Sequence, residues 1–278
     1  SDRSFKGYRG IKFLLKPILN KINLFCVQTK SDAERLFRLG VSEDRIRVTG
    51  NMKFDNTVFS DKKISDSTDK YRALLEMKPE DKLWVCGSTH PQEEEIILDV
   101  YRRLLKDFPQ LKLLIAPRHP QRAGEIEKAA SKSGFRSVFV SILPDKSCNC
   151  ISKRVFILDV IGELVYFYNI ANIVFVGGSL IKKGGHNILE PASLGKPVIV
   201  GPYMFNFRDI ASLFLENKAC ILAHNREELR ENIKDLLENP DKSIRLTQRA
   251  KTIILQNQGA TARNLGYIKN LLILDKHE

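Results

Sequence analysis

The chain has 278 residues, of which 43% are hydrophobic and 28% charged, with a formal net charge of +12 at pH 7. That length and apolar content suit one large or two modest globular domains and exclude a disordered chain. No apolar stretch approaches the about 18 residues of a membrane-spanning helix, and the positive charge favours polyanionic partners: nucleic acid, an acidic membrane surface or phosphorylated substrates.

Taken in order, residues 5–24 mix apolar side chains with Lys12, Lys16, Pro17, Asn20 and Lys21. Such a segment suits lying on a surface rather than crossing a membrane, and it has no signal-peptide architecture. Residues 22–28 read as a strand and 31–39 as a helix stopped by Gly40, with Ser31 and Glu34 as a capping box; residues 45–49 read as a second strand. A lone βαβ piece cannot cover both faces of a parallel sheet. Residues 1–56 are therefore expected to be the tail of an α/β domain whose earlier strands are absent. The polar, serine- and aspartate-rich stretch that follows suggests an inter-domain linker and lead-in over 57–81.

A second α/β domain is expected over 82–256, with strands at 83–86, 111–116, 138–142, 155–158, 173–176, 198–200 and 219–222. Between them fall helices, one starting at Thr89–Gln92 with an apolar stripe of Ile96, Ile97, Val100, Leu104, Leu105 and Phe108. Others are expected at 122–133, near Gly162 and Glu163, and at 209–216, 227–237 and 244–256. A last helix spans about 260–274. This alternation implies a doubly wound parallel sheet. The five cysteines, at 26, 86, 148, 150 and 220, are odd in number and lie mostly in apolar runs. They read as reduced thiols in a cytosolic setting, and the spacing of Cys148 and Cys150 is wrong for a zinc knuckle.

Residues 173–202 are the most informative stretch: a buried strand, then a loop in which Gly177, Gly178, Gly184 and Gly185 bracket Lys182 and Lys183. A helical pattern follows from Asn187, with Glu190 three residues on in the position of a capping box, and Gly195 ends it. Glycine pairs allow close backbone approach to a ligand, and a helix N-terminus presents N–H groups to an anion; the alternative is a tight strand-to-helix turn with Glu190 as a cap.

In a parallel sheet ligands collect at the carboxyl ends of strands. Ser88, Thr89 and His90 fall at one such end, Arg118 and His119 at the next, residues 159–163 at another and residues 177–190 at a fourth. Arg118, held between Pro117 and Pro120, suits a phosphate or carboxylate, or is an ordinary surface cation. Glu163 and Glu190 suit ribose hydroxyls or serve as cap carboxylates. His119 and His186 read first as structural histidines, and Glu93–Glu95 as a solvated first turn of a helix. There is no G-x-G-x-x-G, no Walker A loop and no D-x-D metal motif.

The ordered motifs R-V-T-G-N-M-K-F-D at 47–55, S-T-H-P-Q-E-E at 88–94, A-P-R-H-P at 116–120, G-E-L at 162–164 and G-G-S-L-(x)4-G-G-H-N-(x)2-E-P-A at 177–192, with G-P-(x)3-N-F-(x)-D-I after it, resemble the 3-deoxy-D-manno-octulosonic acid (Kdo) transferases of lipopolysaccharide synthesis. The resemblance covers nearly the whole chain and implies an α/β glycosyltransferase B fold, with a complete C-terminal Rossmann-like domain and the end of an N-terminal one. It implies that residues 257–278 cross back to the first domain. It further implies transfer of Kdo from a cytidine monophosphate (CMP)-activated donor to a lipid A precursor, without metal or cofactor, at the cytoplasmic face of the inner membrane. By the resemblance Arg118, Gly162, Glu163, Leu164, Asn187 and Glu190 bind the donor, with Ser88, Lys182, Lys183 and His186 as further candidates around the sugar carboxylate. The family's general base, expected in the N-terminal portion, has no matching position, so the chain alone is expected to bind donor but not to transfer it. An anionic membrane surface is an expected partner and nucleic acid is not; the alternative is a non-catalytic nucleotide- or nucleic-acid-binding α/β protein.

Overall fold

The computed structural model describes residues 2–57, 61–143 and 155–274. The expected irregular stretch around Cys148 and Cys150 lies outside them. The chain divides into two units, residues 1–58 with 254–278, and residues 59–253.

In the first unit, helices α1 (Asp2–Gly10) and α2 (Lys12–Leu19) precede a βαβ element made of β1 (Phe25–Val27), α3 (Lys30–Leu39) and β2 (Ile46–Val48). The two strands pair in parallel, Phe25 opposite Ile46 and Val27 opposite Val48. Helix α3 is capped two residues earlier than the sequence suggests. Thr29, not Ser31, is the N-cap, and its hydroxyl accepts the Asp32 amide at 3.1 Å; Thr29 alone has the extended backbone that a cap requires. At the other end Gly40, with φ of +100°, closes the helix in the left-handed conformation.

The second unit opens with α4 (Asp61–Leu74), where the polar composition suggests a linker. The helix forms because Ile64 and Tyr71, with Leu75 just past its end, fall on one face and are buried. Its Tyr71 stacks on Tyr166 of α7 (Leu164–Ile170) with ring centroids 5.0 Å apart. The same ring meets Phe167 edge-on at 4.9 Å, and these two contacts outweigh a weak local propensity.

Seven parallel strands form the sheet of this unit: β3 (Lys82–Thr89), β4 (Leu111–Pro117), β5 (Ser137–Phe139), β6 (Val155–Ile157), β7 (Ile173–Val176), β8 (Val198–Val200) and β9 (Ile221–Leu222), in the order β5-β6-β4-β3-β7-β8-β9. Along β3 every residue from Leu83 to Gly87 is buried, and so are all of β6, β7 and β8. Trp84, Cys86, Leu113, Ile115, Phe175 and Ile199 face one core with α5 (Glu93–Leu104), α6 (Ala123–Lys132) and α10 (Arg226–Glu238), while α7, with α4 packed against it, covers β3 from the other side. Burial on both faces is the signature of a doubly wound sheet, and each fully buried Leu or Ile contributes about 1.5–3 kcal/mol.

The chain builds β4, β5 and β6 on one side of β3, then returns to place β7, β8 and β9 on the other. The crevice at the carboxyl ends of β3 and β7 is therefore the topological switch point, where open α/β sheets hold ligands. The remaining helices are α8 (Leu189–Ser193), α9 (Arg208–Glu216), α11 (Pro240–Asn257) and α12 (Ala260–Leu274).

Within the first unit, the motif at 47–55 anchors α12. Asp55 accepts the amides of Gly259 and Thr261, each at 2.6 Å, and so caps the helix. The Thr49 carbonyl accepts Arg263 Nε at 2.8 Å, and the Arg47 guanidinium lies over the Tyr267 ring at 5.7 Å.

Candidate functional site

Four loops meet along the carboxyl edge, one from each of the adjacent strands β6, β4, β3 and β7. At a strand spacing of about 4.8 Å they span roughly 14 Å.

The β3 loop begins with a bulge. Ser88 has φ of +57°, and the pairing with β4 shifts register between Gly87 and Thr89. The bulge brings the backbone of Ser88 and Thr89 against β7 so closely that a Cβ on Gly177 would sit 2.5 Å from the Ser88 oxygen and 2.6 Å from Thr89 Cα. Gly177 is glycine for this approach rather than for its φ.

The glycine loop is organised by a side chain that sequence reasoning assigned to solvent. Glu93 is fully buried, and its carboxylate accepts the amides of Gly178 (2.7 Å), Ser179 (3.0 Å) and Leu180 (3.0 Å), together with that of His90 (3.1 Å). Burial pushes its pKa above the ordinary value, against the pull of these amides. Glu94, also buried, accepts the Thr89 hydroxyl at 2.9 Å and Arg122 Nη1 at 3.0 Å. The acidic turn at 93–94 is thus an internal scaffold; only Glu95 of the three is exposed. The first amides of the glycine loop are committed to Glu93, so they are not free to meet a ligand.

Further along, the Gly185 amide donates to the Gly178 carbonyl at 2.8 Å and closes the neck of the loop. The following segment clamps it: Tyr203 N donates to the Ser179 carbonyl and Asn206 N to the Gly184 carbonyl, both at 2.9 Å, while Ser179 Oγ accepts Gly201 N at 2.8 Å. Lys182 and Lys183 stand exposed at the tip. Lys182 lies over the Tyr203 ring at 5.9 Å, while Lys183 acts on His90. The helix beyond starts at Leu189, two residues later than expected, and runs only to Ser193. Asn187 Oδ1 accepts the Leu189 amide at 3.1 Å and its Nδ2 donates to Glu190 Oε1 at 3.0 Å, so these two candidates hold each other. Five residues are too few for the helix-terminus anion site that the sequence suggested.

Where the loops meet, His90 Nε2 and His186 Nε2 are 2.9 Å apart, with ring planes 6° from parallel and centroids 5.2 Å apart. Rings so disposed meet edge to edge along an N–H···N bond. Gly178, at φ of +67°, lies beneath them: a Cβ there would come 3.1 Å from His186 Cδ2 and 3.3 Å from His90 Cδ2. Burial lowers the pKa of both rings, that of His186 to about 4 from an ordinary 6.5. The positive charges of Arg118, His119 and, for His90, Lys183 and Arg122 act in the same direction. Arg118 and His119 are themselves exposed at the end of β4, where the Arg118 amide donates to the Thr89 carbonyl at 3.0 Å.

The structure thus gathers Arg118, Lys183, His119, His90 and His186 into one electropositive cluster at the switch point. Glu163 is drawn elsewhere: it precedes α7 and faces Tyr71, whose hydroxyl pKa is pushed up to about 12 by burial and by the Glu163 carboxylate. Leu164 begins that helix half-buried, and Gly162 is exposed with φ of +87° and open space around it. No group of three or more metal-ligating side chains occurs among the described residues.

The family model for 3-deoxy-D-manno-octulosonic-acid transferases matches residues 1–56, and that for group 1 glycosyl transferases matches residues 148–253. A 3-deoxy-D-manno-octulosonic acid transferase of Haemophilus influenzae is 33% identical over 275 residues, 98% of this chain and 62% of that protein. A bifunctional glycosyltransferase/methyltransferase of Fusobacterium nucleatum is 38% identical over 87% of this chain and 37% of its own length. The chain therefore spans only part of each relative. Among solved structures, the C-terminal CMP-Kdo binding domain of WaaA from Acinetobacter baumannii superposes with a TM-score of 0.62 at 28% identity, covering 74% of this chain and all of that domain. With a likeness that runs over 98% of its length, the chain is similar to the Kdo transferases, and it has the α/β architecture of the glycosyltransferase B fold.

Proposed function

We propose that the second unit binds a CMP-activated Kdo donor at the β3/β7 switch point, and that the whole protein moves Kdo to a lipid A precursor at the cytoplasmic face of the inner membrane. The carrying observation is the electropositive cluster of Arg118, Lys183, His119 and the histidine pair, built at the edge where such sheets hold ligands. When the sugar departs, a nucleoside monophosphate is left with growing negative charge, and preorganised cations and N–H groups stabilise that charge without a metal. Arg118, whose planar fork suits phosphate, is the principal contact; Lys183 and His186 complete it. Gly162 and Leu164 border the site from the β6 side, and Glu163, which faces Tyr71 in the free chain, would have to turn from it to meet a ribose hydroxyl of the donor. Asn187, Glu190, Ser88 and Lys182 shape the walls. Similarity to a CMP-Kdo binding domain favours this donor over other nucleotide sugars. Because the chain spans 62% of the Haemophilus relative, donor binding is the part proposed for these residues, and transfer for the whole protein.

Calorimetric titration with CMP, with and without a chelator, tests the reading. Binding that persists in the chelator and that falls by about 1.5–3 kcal/mol in Arg118→Ala supports it. Strict dependence on magnesium, or an unchanged affinity in Arg118→Ala, contradicts it. Tighter, steeply salt-dependent binding of random oligonucleotides would favour the nucleic-acid alternative that the net charge of +12 leaves open.

A further inference from the structure

His90 and His186 lie in the loops after β3 and β7, 96 residues apart in sequence, yet their Nε2 atoms meet at 2.9 Å. A hydrogen bond between two imidazole nitrogens requires one to carry a proton and the other a lone pair. The free pair therefore holds its rings in complementary tautomers and is neutral when one Nε2 proton is shared between them.

Everything positive around the pair opposes a second proton there. Arg118 and His119 face it from the end of β4, Arg122 from the turn before α6, and Lys183 from the tip of the glycine loop. The nearest carboxylates do not offset these cations. Glu93 is committed to four backbone amides, one of them His90's own, and Glu94 to Arg122 and Thr89. A phosphate entering this cluster reverses the local field.

We propose that the His90–His186 pair is a proton acceptor coupled to phosphate binding: an entering phosphate brings one proton onto the pair, which becomes an imidazolium–imidazole couple donating to the bound anion. The proposal rests on the donor reading and adds to it a role for His90 and a stoichiometry.

The magnitudes allow it. A dianion about 6 Å from a ring raises its pKa by roughly one to four, between a water-like and a protein-like dielectric. At the upper end this carries His186 from about 4 past neutrality. The floor of the pair is also fixed: Gly178 leaves no room for a side chain under either ring, and its own amide is held by Glu93. The rings therefore cannot relax away from the incoming charge.

Proton uptake is measured directly by titrating CMP into the chain in buffers of different ionisation enthalpy. The free phosphate's second pKa is about 6, so work between about pH 7 and 8 keeps the ligand a dianion and leaves the protein as the proton's destination. We expect uptake that rises towards about one proton per CMP as the pH falls through this window, and a CMP affinity that weakens by up to about tenfold per pH unit as it rises. In His90→Gln/His186→Gln the uptake disappears and the affinity loses its pH dependence. Imidazole NMR titration of the unsubstituted chain, free and CMP-saturated, reads the same change without a variant: one ring's pKa moves up through neutrality. CMP bound with no proton uptake and no imidazole shift overturns the coupling while leaving the donor site standing. Failure of CMP to bind at all overturns the donor reading and the coupling together.

Discussion

A carboxylate taken out of water must recover hydrogen-bond donors, and Glu93 recovers four backbone amides, three from a loop 85–87 residues away in sequence. Truncation would leave the Gly178, Ser179 and Leu180 amides facing a void, at about 1–3 kcal/mol for each one left unpaired. We expect Glu93→Ala to cost about 3 kcal/mol or more by denaturant unfolding. Glu93→Gln should also be destabilising, because its amide nitrogen sets donor against donor. Glu95→Ala, on the exposed side of the same turn, should stay within about 0.5 kcal/mol. Equal effects at the two positions would contradict the scaffold role. Periodicity on its own could not show this role, since three successive glutamates at a helix start satisfy the helix dipole whether or not they are buried. The glycines show a loop whose backbone can approach a partner closely, but nothing in the sequence pairs that loop with the acidic turn. The place of Arg118 at a strand end, by contrast, is legible, because prolines at 117 and 120 mark a backbone held there.

At the scale of elements, the switch-point crevice depends on β3 and β7 approaching each other at Gly177. A methyl group there would lie 2.5–2.8 Å from three backbone atoms of Ser88 and Thr89, and backbone cannot swing aside as a side chain does. Gly177→Ala should therefore destabilise by about 1–3 kcal/mol and weaken CMP binding by displacing the His90 loop. The matched substitution Gly124→Ala, in α6 with open space around its Cα, should instead be neutral or stabilise by up to about 1 kcal/mol. Unfolding curves with CMP titrations for both variants decide; a silent Gly177→Ala would mean that the two strands are free to separate. The strands themselves were readable, because fully apolar runs such as 173–176 admit little besides a buried strand. Helix α4 is not, since its buried Ile64 and Tyr71 are diluted among serines, aspartates and lysines that resemble a linker. The start of α8 is not legible either: Asn187 has the side chain of an N-cap, but the helix begins only at Leu189.

For the whole molecule, charge and exposed apolar surface bear on where it works. No helix among the described residues is long and apolar enough to cross a membrane. Helix α2 and its flanks nevertheless expose Phe13 (74%), Leu14 (57%) and Ile18 (60%) beside Lys12, Lys16 and Lys21, with Lys6 and Arg9 on α1. Apolar side chains among lysines suit the surface of an anionic bilayer, where each basic residue contributes about 1 kcal/mol. Liposome sedimentation should show binding that requires acidic lipid and that weakens by roughly thirtyfold in Lys6→Gln/Lys21→Gln. Equal binding to neutral vesicles would remove the electrostatic part of that proposal.

The site's location is tested most directly by hydrogen–deuterium exchange of the chain with and without CMP. Backbone amides protected by a nucleotide held at the switch point lie in the loops that follow β3, β4 and β7, namely residues 88–92, 117–122 and 181–188. We expect slower exchange in all three when CMP is added, with none in residues 25–48 of the first unit. Protection confined to the first unit, or CMP binding that leaves the three loops unchanged, would contradict a donor site built on Arg118, Lys183 and the paired histidines.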